Sequence, residues 1–224
     1  MNPKVKICGI KDVDTLRLLK ELQADYVGFI FAQSKRRVTA GEAGALLRAV
    51  ASPPPAVGVF VNPSLVELEE TLRDVSLSVI QLHGQESPEF CREVKERFGL
   101  PVWKAVAVGE EGTLSLDLQA YLPVVEAFLF DTHDPAAAGG TGKRFSWEQI
   151  PLLRERAGNA TVVIAGGITV DNVGELVGRY SPPMIDLSSG VETEGRKDPD
   201  KIKTLMQRVR ENGRYHTVKN NAAR

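Results

Sequence analysis

The chain has 224 residues, 42% hydrophobic and 25% charged, which is ordinary globular usage and enough apolar material for a sizeable core. Its 28 Lys and Arg stand against 29 Asp and Glu, a net charge of −1, which argues against binding nucleic acid or a membrane surface through bulk charge. Two cysteines, Cys8 and Cys91, are too few for a disulfide scaffold, and no apolar run approaches a membrane span or a signal-peptide core, so a soluble, unprocessed protein of a reducing, cytoplasmic compartment is expected.

The first strand is Val5-Lys6-Ile7-Cys8, a β-branched run that carries a thiol at its carboxyl end before Gly9. Residues 11–22 follow at helical spacing, with Asp12 as N-cap. The second strand, 26–31, opens into the basic loop Ser34-Lys35-Arg36-Arg37 and a helix near 39–50, which Pro53-Pro54-Pro55 ends. Strands at 57–61 and 79–82 end at Asn62 and His83, each followed by a helix, near 64–75 and 86–98. A fifth strand at 102–106 leads into a weak helix over 110–121, where Gly112 and alternating leucines blur the period. The sixth strand, 127–130, runs into Asp131 and then the Gly-rich stretch 139–142. A short helix near 146–156, a strand at 162–165 ending at Gly166-Gly167, a helix near 170–180 and a strand at 184–187 ending at Ser188-Ser189-Gly190 come next. A last helix spans roughly 199–210, and residues 213–224 form a polar tail expected to be disordered.

Eight strands alternate with eight mostly helical segments and no linker divides them, which predicts a single (β/α)8 TIM barrel over residues 1–212. An open doubly wound sheet is the rival, but it places its Gly-rich turn after the first strand. Here those turns follow strands six to eight, where barrels commonly bind phosphate.

Closure of the barrel gathers Cys8, Arg36, Asn62, His83, Asp131, Gly166, Gly167, Ser189 and Gly190 at one face. Glycines at a helix start offer backbone N–H groups that a phosphate ester can approach closely. Either Gly pair alone reads as a turn; two at consecutive strand ends, with 139–142 besides, read as a phosphate site. Asp131 ends four apolar residues, where a purely structural carboxylate needs a specific partner. Arg36 is either a solvated loop residue or a bidentate carboxylate fork, and His83 either a strand-end histidine or a base. Cys91, inside an amphipathic helix, reads as inert packing. No His/Asp/Glu cluster has ligand spacing, so no metal is expected.

Lys6-Ile7-Cys8-Gly9-Ile10, Gly28-Phe29-Ile30-Phe31 with Ser34-Lys35-Arg36, Gln81-Leu82-His83-Gly84, Phe130-Asp131-Thr132, Gly139-Gly140-Thr141-Gly142-Lys143, Gly166-Gly167 and Asp186-Leu187-Ser188-Ser189-Gly190-Val191-Glu192 together resemble the phosphoribosylanthranilate isomerases, in order from Lys4 to about Arg210. The resemblance implies a cofactor-free Amadori rearrangement in tryptophan biosynthesis, a small phosphosugar substrate, and a chain that is a monomer or a homodimer. It implies Asp131 as general acid at the furanose ring oxygen, Cys8 as general base at C2, and Arg36 on the anthranilate carboxylate. Around the substrate it also implies His83, with Gly142, Gly166, Gly167, Ser189 and Gly190 for the phosphate. An ordinary Asp near ~3.9 and Cys near ~8.5 are protonated the wrong way round for these roles. Burial is therefore expected to raise Asp131, and a nearby positive charge or strand-end dipoles to lower Cys8. The stretch 139–142 is expected to close over substrate as a lid. A sugar-phosphate lyase or a two-aspartate isomerase is the enzyme alternative, and the cysteine on the first strand argues against the two-aspartate version; a phosphosugar-binding module without activity, or an assembly partner whose basic loop docks another subunit, needs no Cys8 and Asp131 together.

Overall fold

The computed structural model describes residues 2–109, 112–132 and 145–221, the last segment with side chains through 213. Eight parallel strands close into a barrel in chain order: β1 (Lys4–Cys8), β2 (Tyr26–Ile30), β3 (Ala56–Phe60), β4 (Val79–Leu82), β5 (Val102–Val108), β6 (Ala127–Thr132), β7 (Thr161–Ile164) and β8 (Met184–Leu187). Closure is made by β1 against β8, with Lys6 opposite Asp186 in register. The helices that return each strand are α1 (Val13–Glu21), α2 (Ala40–Arg48), α3 (Leu65–Asp74), α4 (Pro88–Phe98), α5 (Leu118–Tyr121), α6 (Ile150–Arg156), α7 (Val173–Glu175) and α8 (Pro199–Asn221). Side-chain caps start several of them: Asp12 accepts from the Thr15 N–H, and Thr39 and Ser64 form capping boxes with Glu42 and Glu67. Among the described residues, no helix is long and apolar enough to cross a membrane.

The pleat sorts alternate strand residues into two cores. Val5, Ile7, Phe29, Ile80, Phe128 and Ile185 pack outward against the helices. Val57, Val79, Trp103, Ala105, Leu129, Val163 and Met184 fill the barrel interior, and the Tyr26 and Trp103 rings meet edge to face with centroids 5.0 Å apart. Above that apolar plug the interior turns polar: Lys6, Gln81 and Asp186 are all buried.

Four elements depart from the sequence expectation. In the segment after β5, the described residues 112–121 hold the single turn of α5 and a bridge from Leu114 to Val108. The helix after β7 is three residues of α7 continued as a π-helical stretch, Leu176–Tyr180. A hairpin of β9 (Glu192–Thr193) and β10 (Arg196–Lys197) inserts before α8. The final helix runs to Asn221 instead of ending near Arg210, so residues 213–221 are helical where a frayed tail was expected. Elongating an existing helix avoids the cost of nucleating one, and Gly213, which reads as a stop signal, is where α8 packs so close to Asn2 that a side chain would collide with it.

Candidate active site

Cys8 ends β1 with its side chain inside the barrel rim. Its partner in register on β2 is Gly28, and a Cβ there would stand 2.6 Å from the sulfur, so only glycine leaves the thiol its place. Ser188 Oγ donates to the Cys8 carbonyl at 3.1 Å and ties the end of β1 to the loop after β8.

Asp131 lies at the end of β6, and its Oδ1 accepts from the Thr132 N–H at 2.7 Å. Gly166, at φ +77°, faces that carboxylate so closely that any side chain would overlap Asp131 Oδ1 and Thr132 Oγ1. Burial pushes the Asp131 carboxyl up to about 6 against the pull of the Thr132 N–H, with the Asp186 charge adding to the rise. The expected elevation is therefore present.

His83 Nε2 is 3.9 Å from Asp131 Oδ2. Burial, together with the charges of Lys104 and Lys6, brings this imidazole down to about 4, so it is neutral at physiological pH. The Gln81 amide nitrogen is 3.1 Å from Nδ1 and can only donate, which leaves the ring proton on Nε2, facing the carboxylate. The loop that carries His83 is fixed by Glu86, whose carboxylate accepts from the Asn62 and Gly84 N–H groups and pairs at 3.1 Å with buried Lys104.

The Cys8 expectation is corrected in sign. Burial raises the thiol above its ordinary value, and the Lys6 and Lys197 charges offset this only in part, with Asp186 opposing them. A strand end inside a closed barrel costs the thiolate more solvation than the neighbouring cations return.

Arg36 is gathered to the same rim, but its fork is already engaged. Nε and Nη2 bind Glu192 Oε1 and Oε2 at 2.7 and 2.8 Å. Lys197 Nζ also binds Glu192 Oε1 at 2.8 Å and the Ser188 carbonyl at 2.9 Å. Burial opposes ionisation of Glu192, yet the Arg36 and Lys197 hydrogen bonds hold its carboxyl at about 2.

The phosphate candidates come together as the strand order requires. Gly166 and Gly167 follow β7 with positive φ, and Asn172 Nδ2 donates to the Gly167 carbonyl at 2.8 Å. Ser189 and Gly190 begin a 3₁₀ turn after β8, with Gly190 pressed against the Ile168 carbonyl. Gly142 and the stretch 139–142 lie outside the described residues. Cys91 is fully buried in α4 and its thiol is pushed by burial to about 11, in keeping with an inert packing role.

Sequence reasoning gave no role to Lys6, Asp186, Glu192, Lys197, Lys104 or Glu86. The signal was present for the first two. Each is a charge flanked by aliphatic residues, one in the first strand and one in the last, and barrel closure makes those strands neighbours.

The family model of N-(5'-phosphoribosyl)anthranilate isomerase matches residues 5–208. The chain belongs to this isomerase family. A curated relative from Brevibacillus brevis, N-(5'-phosphoribosyl)anthranilate isomerase, is 62% identical over 207 residues, covering 92% of this chain and 93% of its own. The crystal structure of the phosphoribosyl anthranilate isomerase from Thermotoga maritima superposes with a TM-score of 0.80 at 34% identity, over 93% of this chain and 99% of the other. A phosphoribosyl anthranilate isomerase in complex with reduced 1-(o-carboxyphenylamino)-1-deoxyribulose 5-phosphate matches with a TM-score of 0.76 at 33% identity and the same coverage.

Proposed function

We propose that this chain catalyses the Amadori rearrangement of N-(5-phosphoribosyl)anthranilate to 1-(2-carboxyphenylamino)-1-deoxyribulose 5-phosphate in tryptophan biosynthesis, with Asp131 as general acid and Cys8 as general base. The observation that carries the assignment is the environment of Asp131, a strand-end carboxyl raised to about 6 beside a neutral imidazole that is not itself a proton donor of useful strength. A carboxyl of that strength keeps a usable protonated fraction near neutrality.

The chemistry runs in two proton transfers. Asp131 gives its proton to the furanose ring oxygen as the C1–O bond breaks, and the nitrogen lone pair forms the C1=N Schiff base. The Cys8 thiolate then takes the C2 proton, and the electron pair moves through C2=C1 to nitrogen to give the enolamine. Loss of the O2 proton and protonation at C1 yield the ketone. The Nη1 edge of Arg36, which Glu192 does not take, would receive the anthranilate carboxylate. The backbone around Gly166, Gly167, Ser189 and Gly190, with Gly142, would cradle the phosphate, and His83 would border the sugar beside Asp131.

Steady-state turnover of freshly generated phosphoribosylanthranilate, followed as loss of anthranilate-type fluorescence, tests this reading with Cys8→Ala and Asp131→Asn run alongside. Turnover by the wild type that collapses in both variants is expected. Near-wild-type activity in either variant would remove that residue from its role.

A further inference from the structure

Beneath Cys8 the barrel holds a feature that packing does not require. Lys6 Nζ donates to Asp186 Oδ2 at 2.8 Å, with the Lys6 side chain fully enclosed and that of Asp186 nearly so. Gln81 is buried in the same polar layer, above the apolar plug of Val57, Leu129, Val163 and Met184. A buried ion pair carries a desolvation cost that hydrophobic residues of similar volume avoid, so stability alone gives no reason for one here. Lys6 stands two residues before Cys8 on the same inward face of β1. From that position its charge favours the thiolate over the thiol.

Given Cys8 as the base, on which this inference rests, we propose that Lys6 and Asp186 are positioning residues that set its proton affinity in opposite directions: the Lys6 ammonium lets a thiolate form inside the barrel, and the Asp186 carboxylate restrains that ammonium. The restraint has a chemical purpose. A thiolate stabilised by an unshared buried cation is a weak base, poorly suited to removing a proton from carbon, whereas one that shares its cation with a carboxylate stays basic. The other charged groups facing the sulfur, Lys197 on β10 and Arg36 after β2, are themselves engaged by Glu192. That leaves Lys6 as the cation beneath the thiol and Asp186 as its counterweight.

The test titrates Cys8 by carbon NMR of protein labelled at the cysteine β-carbon, in which Cys8 and Cys91 give separate signals. Lys6→Met is expected to move the Cys8 midpoint up and Asp186→Asn to move it down, each by about one pH unit, tenfold in thiolate fraction at a given pH. The alkaline limb of kcat/KM should follow in both. Restoring the charge with Lys6→Arg should return the midpoint toward the wild-type value, which a purely structural role would not require. If Lys6→Met does not fold, the isosteric Asp186→Asn decides alone through its downward shift. Folded variants whose Cys8 titration does not move would overturn the pairing. A titration that moves in both directions while the rate profile stays fixed would instead overturn Cys8 as the base, and with it the part of the pair in the reaction.

Discussion

Arg36 and Glu192 form a bidentate pair on the active-site rim, Nε to Oε1 at 2.7 Å and Nη2 to Oε2 at 2.8 Å. Glu192 sits at the start of the β9–β10 hairpin, where Lys197 binds the same carboxylate and Lys201 Nζ donates to the Glu192 carbonyl at 2.7 Å. The hairpin thus aims the guanidinium and leaves Nη1, the nitrogen proposed to receive the substrate carboxylate, outside the Glu192 pair. Glu192→Gln keeps the shape but loses the charge that orients the fork. KM for the carboxylated substrate should rise about tenfold, near 1.4 kcal/mol, with kcat changed much less. Steady-state kinetics separates the two; an unchanged KM with a fallen kcat would place Glu192 in the chemistry instead of in binding.

Asp131, the proposed acid, should also limit stability. Its carboxyl is raised in the folded state, to about 6 from an ordinary 3.8, so between those values the native chain holds a proton that the unfolded chain has released. Stability therefore falls as pH rises through that window, and above it the full penalty of about 1–3 kcal/mol is present. Asp131→Asn is predicted to be more stable than the wild type at pH 7 by that amount and to lose the advantage near pH 4. Urea denaturation at the two pH values measures both terms. Equal differences at the two values would show that folding does not raise the Asp131 carboxyl.

Gly28→Ala should injure the site from within the wall. The added methyl meets the Cys8 sulfur at 2.6 Å and the Cys8 Cα at 3.0 Å, contacts that force the thiol or the strand to move. Overpacking of this kind costs about 1–3 kcal/mol. Activity should drop further than stability, because the group displaced is the proposed base. Thermal melts and turnover on one preparation compare the two losses.

Lys104 and Glu86 form a second buried pair, outside the barrel wall, at 3.1 Å. Lys104→Met leaves the Glu86 carboxylate buried with only N–H partners, and removal of one member of a buried pair costs about 3–5 kcal/mol. Because Glu86 also binds the Asn62 and Gly84 N–H groups, the loops after β3 and β4 should loosen together. Hydrogen exchange at those amides is expected to accelerate in the variant while exchange in β7 and β8 stays unchanged.

Much of this arrangement was legible in the sequence because the barrel repeats one simple pattern. Most of the apolar strand runs ended on a polar residue or glycine, and that rule carried Cys8, His83, Asp131 and Gly166 to one rim. The parts that escaped depend on pairings distant in sequence. Nothing local to Lys6 names Asp186 as its partner, and nothing local to Arg36 says that Glu192 will occupy its fork. The wrong sign expected for Cys8 has the same origin: the cation was anticipated, but the depth of burial around the sulfur is a property of the closed barrel. The length of α8 escaped because Gly213 acts as a close-packing residue against Asn2 and not as a cap.

The most direct test of the acid–base assignment is the ratio of kcat/KM for the wild type to that for Asp131→Asn across pH 5 to 8. Both enzymes meet the same substrate, whose phosphate titrates near ~6, so the ratio cancels the substrate and follows the protonated fraction of Asp131 alone. Because that carboxyl is raised to about 6, the ratio should be level below that pH and fall about tenfold for each unit above it. A ratio that does not change with pH would contradict Asp131 as the proton donor.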